Sequence, residues 1–128
     1  MTHHVLVVDD NPINLKLVVD VLECAGLRVS RAEDAEAAQM VLESVVPDLV
    51  LMDIGLPRMN GLALTRLLKA DPRFKAMSIV ALTAFAMKGD DCKALEAGCD
   101  GYITKPIDTR TLANELERYL RPPPVVRL

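Results

Sequence analysis

The hydrophobic positions of this chain fall in short runs separated by stretches of helical spacing. Val5–Val8 and Leu49–Met52 are unbroken aliphatic runs, as expected of strands covered on both faces. Arg28–Ala32, Ser78–Leu82 and Gly101–Thr104 read as three further strands. The stretches between them predict helices. Asn11-Pro12 opens the first, with Asn as N-cap and Pro at the first helical position. It runs to about Ala25 and stops at Gly26. Asp34 caps a second helix, which ends before Pro47; Leu62–Lys69 is a short third, closed by Asp71-Pro72. Lys88–Ala97 is a fourth, stopped by Gly98, and a fifth opens at Asp108 or Thr109 and ends at Pro122. The Gly and Pro content of Gly55–Gly61 marks a loop. Strands alternating with helices predict an α/β fold, a parallel sheet with helices on both faces. Right-handed crossovers leave few topologies for it.

The length of 128 residues bounds this to one domain with a single core. We expect residues 1–121 to form it and the Pro-rich 122–128 to be a tail or the start of a linker. With no Trp, two Phe and two Tyr, the core must be aliphatic. A net charge of −3 gives no support for direct nucleic-acid binding. No apolar run reaches the roughly 20 residues of a membrane span. The first strand begins almost at the N-terminus, so no signal peptide is expected. Cys24, Cys92 and Cys99 are odd in number and unpaired by spacing, which predicts reduced thiols in the cytoplasm. His3 and His4 read as solvated residues ahead of the first strand.

Composition leaves the chemistry open; the strand ends do not. Asp9-Asp10 follow the first strand, Asp53 the third, Thr83 the fourth and Lys105-Pro106 the fifth. Ligands of an open parallel sheet bind outside the carboxyl ends of its strands. Three carboxylates, a hydroxyl and an ammonium would therefore share one crevice. Ionised acids that close repel, and a proton or a cation must relieve them. Mg²⁺ suits such a site because it takes oxygen ligands and shares its shell with water and phosphate; Mn²⁺ is the alternative. Lys105 supplies a point charge for a phosphate oxygen and Thr83 a hydroxyl donor.

This set resembles the response-regulator receiver domain of two-component signalling over nearly the whole chain. The segments Leu51-Met-Asp-Ile-Gly-Leu-Pro-Arg-Met-Asn-Gly61 and Ala81-Leu-Thr-Ala-Phe-Ala-Met-Lys-Gly-Asp90 carry the likeness most strongly. The second is similar to single-domain receivers of the DivK type and to receivers of hybrid kinases. The resemblance implies a doubly wound, flavodoxin-like sheet of order 2-1-3-4-5 with five helices. It implies that Asp53 takes a phosphoryl group from a phosphohistidine. Asp10, Asp53 and the Gly55 carbonyl would hold Mg²⁺, with Asp9 acting mostly through water. Lys105 and Thr83 would neutralise and orient the phosphoryl oxygens, and Lys105-Pro106 would be a cis peptide. Thr83 would then move and Tyr102 rotate in behind it. That would change the surface made by the fourth helix, fifth strand and fifth helix. The implied role is a bacterial phosphoacceptor that assists its own phosphorylation and dephosphorylation, not an enzyme. Its partners would be a histidine kinase or phosphotransfer protein and a downstream protein target, with the chain a monomer or weak dimer.

Two alternatives stay open from the residues. An aspartyl-phosphate phosphatase of the haloacid-dehalogenase type also uses a strand-end Asp, Mg²⁺ and Lys. It needs acids spaced as DxD, which neither Asp9-Asp10-Asn11 nor Asp53-Ile-Gly55 provides. A receiver belonging to a larger hybrid kinase or output-domain regulator is the other. Gly55 also leaves no side chain to touch the phosphoryl group, so its lifetime is set elsewhere. For partner contact, a 100° projection of the first helix turns Leu17, Val18, Val21, Leu22 and Ala25 inward. It leaves Leu15 and Val19 on a flank as a docking stripe. Phe85 and Met87 are the candidates after the fourth strand.

Overall fold

A computed structural model of the chain describes residues 3–53, 61–74, 77–83, 98–104 and 108–120. The strands are β1 (His4–Val8), β2 (Arg28–Ala32), β3 (Leu49–Asp53), β4 (Ser78–Thr83) and β5 (Gly101–Thr104). All pair in parallel in the order β2-β1-β3-β4-β5. The helices are α1 (Pro12–Cys24), α2 (Ala35–Ser44), α3 (Gly61–Ala70) and a C-terminal α4 (Leu112–Leu120), with a 3-10 turn at Pro72–Phe74. The helix expected at Lys88–Ala97 lies outside the described residues.

Alternation along the strands sorts the core into two layers. Leu6, Val8, Val50, Met52, Ile79 and Ala81 face α2 and α3. Val5, Val7, Leu49, Leu51, Val80 and Leu82 face α1 and α4. The stretches Val5–Val8 and Leu49–Met52 of the central strands are therefore apolar at every position, which is why they read as continuous runs. His4 departs from its reading as a solvated terminus. It is the first residue of β1, and its ring lies 2.7 Å from Ser30 Oγ on β2.

Local chemistry fixes the connections. The Asn11 side chain accepts from the backbone N–H of Ile13 and Asn14, and the Asp34 side chain accepts from that of Ala37. Gly26 and Gly98 carry φ of +87° and +109°, left-handed values that other residues avoid. Gly98 is also crowded, since a Cβ there would sit 2.9 Å from Lys69 Cγ. Lys69 reaches on to the Met77 carbonyl at 3.2 Å and to Asp100 Oδ2 at 2.9 Å. That same oxygen accepts from Ile79 N–H at 2.7 Å. The cluster ties the end of α3 to the starts of β4 and β5. Asp100→Ala removes the acceptor of a part-buried N–H, and we expect it to cost about 1–3 kcal/mol in urea unfolding. A loss under about 0.5 kcal/mol would mean that water replaces the carboxylate.

The helix α1 corrects the projected face. Leu15, Val18, Val19 and Leu22 are the buried positions, with Leu15 at 5% and Val19 at 7% exposure. Leu17 is 40% exposed, and Ala25 is the exposed C-cap. Leu15 and Val19 are thus core and cannot form a docking stripe. The buried set has spacing i, i+3, i+4, i+7, one regular helical face. With apolar residues almost all round α1, the sequence does not choose between neighbouring faces. Contact with the sheet and with α4 does. The thiols also separate: Cys24 is exposed, Cys99 is buried, and both are free. Burial pushes the Cys99 thiol up, and its Sγ lies 3.8 Å from Thr65 Oγ1.

Candidate functional site

Register brings the acids together. The last paired residues of β1 and β3 are Val8 and Met52, so the next residues outward are Asp9 and Asp53. Neighbouring strands lie about 4.8 Å apart, which makes this approach unavoidable. Carboxylate oxygens of Asp9, Asp10 and Asp53 lie within 4.8 Å of one another. Asp9 is fully buried, Asp53 keeps 8% exposure, and Asp10 is exposed. The cluster thus runs from the sheet to solvent.

The chain holds Asp9 from two sides. Its N–H donates to the Ala32 carbonyl at 3.1 Å, and its Oδ1 accepts from Asn11 N–H at 2.9 Å. Asn11 then caps α1. A buried carboxylate, the strand end and the helix start form one continuous support, so Asp10 at its centre has little backbone freedom. On the other side, Asp53 pairs with Leu82, and Thr83 is the next residue of β4, paired with Thr104 of β5. Thr83 therefore ends its strand beside Asp53, as expected. Lys105 follows Thr104 directly in sequence. Lys105, Pro106, Gly55, Phe85 and Met87 lie outside the described residues. Tyr102, on β5, is 40% exposed.

Among the described residues, three carboxylates and no sulfur or imidazole make an all-oxygen donor set, which selects hard divalent cations such as Mg²⁺. The graded burial fits as well, because such an ion keeps some of its water.

Residues 5–117 match the Response regulator receiver domain. The chain belongs to that family. It is 39% identical over 120 residues to the polar-differentiation response regulator DivK of Brucella ovis, covering 94% of this chain and 98% of that one. The chemotaxis response regulator CheY4 of Vibrio cholerae superposes with a TM-score of 0.88 at 25% identity, over 93% of this chain and 99% of that one. The receiver domain of sensor histidine kinase PA1611 from Pseudomonas aeruginosa has a TM-score of 0.85 at 33% identity, over 94% and 98%. Its structure was solved with a magnesium ion in the active-site cleft.

The receiver is a phosphoacceptor signalling domain of two-component systems and not a classical enzyme. Such domains interact with histidine kinases and downstream targets. The dehalogenase-type alternative falls away with this assignment. Among the described residues, no helix is long and apolar enough to cross a membrane.

The sequence reading missed the surface that α1 does expose. Ile13 is 77% exposed, and with Pro12, Lys16, Leu17 and Asp20 it lines a shallow depression. One signal was available: at 100° per residue Ile13 projects beside Lys16 and Asp20, on the polar side of the helix.

Proposed function

We propose that Asp53 accepts a phosphoryl group from a phosphohistidine donor in a reaction that needs Mg²⁺. The observation that carries this reading is the cluster of Asp9, Asp10 and Asp53 at the ends of adjacent strands. An Asp53 carboxylate oxygen attacks phosphorus, the phosphorus–nitrogen bond to the donor imidazole breaks, and the imidazole keeps the electron pair. An acyl phosphate forms on Asp53. Transfer of this kind depends mainly on positioning and charge stabilisation. Asp10, Asp53 and the Gly55 carbonyl would hold the ion, with Asp9 supporting it through water. When bound, the ion neutralises charge shared by carboxylate and phosphoryl oxygens. Lys105 and Thr83 would take the remaining phosphoryl oxygens. In this way the chain assists its own phosphorylation and dephosphorylation.

The switch would run from Thr83 to Tyr102 and on to the surface around β5 and α4, where a protein target reads it. The receiver would span residues 1–121, with the Pro-rich 122–128 a tail or the start of a linker. The free thiols of Cys24 and Cys99 suit a reducing compartment such as the cytoplasm. Intact mass after incubation with acetyl phosphate, with and without Mg²⁺, tests the reading. Addition of one phosphoryl group only with metal is the expected result.

The donor would dock on the exposed apolar positions of α1, Ile13 and Leu17. Ile13→Asp and Leu17→Asp should slow transfer from a phosphorylated histidine phosphotransfer protein about tenfold, or roughly 1.4 kcal/mol. Both should keep the wild-type rate with acetyl phosphate. Equal loss with the two donors would remove this face from the reading. Leu15→Asp would place a charge in the core and should unfold the protein instead.

A further inference from the structure

The C-terminal helix meets β5 through an unusually close fit. Gly101, the first residue of β5, is buried, and the Tyr119 ring of α4 occupies the space a side chain there would need. A Cβ built on Gly101 would overlap the Tyr119 phenol oxygen and Cζ and come within 2.7 Å of Cε1. Only glycine accepts the ring in this seat. The Tyr119 backbone is fixed as well, because its carbonyl accepts from Ser78 Oγ at 2.9 Å at the start of β4. Leu112 and Leu116 bury the rest of this face of α4.

The position of the notch gives it a consequence. Ile103 packs in the core layer that holds α1 and α4. Side chains alternate along a strand, so Gly101 faces that same layer and Tyr102 the opposite one. The strand β5 is at the edge of the sheet, bonded to β4 alone. It has less to hold it than the central strands. Any shift of its backbone when Tyr102 repacks is presented, on the other face, directly to the Tyr119 ring seated on Gly101.

We propose that the Tyr119–Gly101 contact is a coupling device that makes α4 follow β5, with Tyr119 as a positioning residue. This rests on the reading of Tyr102 as a switch residue. An interlocked ring can pass a displacement of a few tenths of an ångström, where a loose apolar contact would absorb it.

The test compares backbone amide shifts of β5 and α4 with and without beryllofluoride, a phosphoryl mimic, in saturating Mg²⁺. In the wild type, both elements should shift. In Tyr119→Leu, which keeps apolar bulk without the ring, the β5 shifts should persist and the α4 shifts fall by about half or more. Gly101→Ala denies the ring its seat from the other side and should give the same separation. It should add nothing to Tyr119→Leu in the double variant. Full-size α4 shifts in both single variants would overturn the coupling while leaving the Tyr102 reading intact. A wild type that gains a phosphoryl group by mass yet shows no β5 shift would overturn that reading, and the coupling with it.

Discussion

Asp53→Asn should gain no phosphoryl group from acetyl phosphate and Mg²⁺ under conditions in which the wild type gains one. Three acids share the site, and their surroundings separate their roles. Asp9 is fully buried, with Oδ1 committed to Asn11 N–H, so a donor cannot reach it in line. Asp10 is exposed, but it lies in the turn between β1 and α1, away from β4. Asp53 ends the central strand β3, between β1 with its two acids and β4 with Thr83. A phosphoryl group there would be next to the other two acids on one side and the Thr83 strand end on the other. The amide keeps the size of the carboxylate and removes its nucleophilic charge. Folding should therefore survive, and a far-ultraviolet circular dichroism spectrum like that of the wild type confirms it. Phosphoryl mass retained on Asp53→Asn would move the acceptor to Asp10.

The second large effect is on stability. Acids whose oxygens lie within 4.8 Å of one another repel when ionised, and a bound cation turns that repulsion into attraction. On the proposed reading, Mg²⁺ would bind the native arrangement and not the unfolded chain. At a hundred times its dissociation constant it should add about 2.7 kcal/mol, or on the order of 10 °C in Tm for a domain this small. Sodium chloride of equal ionic strength should give little of this. Asp10→Asn should raise the Tm of the metal-free protein, since it removes one repelling charge at an exposed position. It should also shrink the rise caused by Mg²⁺. An Mg²⁺ titration by thermal denaturation, run on both proteins, measures the two effects together. A Tm indifferent to millimolar Mg²⁺ would mean that these carboxylates hold no ion.

The amino-acid sequence by itself determined the layout of this receiver. Val5–Val8 and Leu49–Met52 are apolar at every position because both faces of the sheet are covered, and their short length bounded by turn residues marks them as central strands. Asp9, Asp10 and Asp53 were legible as a site because each stands where such a run stops, and a parallel sheet collects its strand ends on one side. Asn11-Pro12, Asp34, Gly26 and Gly98 were legible because caps and left-handed turns are local chemistry. The tertiary structure decided which side of α1 faces inward. Apolar residues cover most of that helix outside Lys16, Asp20 and Glu23, so its rotation among the apolar faces comes from packing against the sheet and α4. That packing buried Leu15 and Val19 and left Ile13 and Leu17 outside. It also decided the seat of Tyr119 on Gly101. A glycine at the start of a strand and a tyrosine in a distant helix carry no mark of each other in sequence. Their fit exists only once β4, β5 and α4 are packed, because it is a matter of volume and not of local preference.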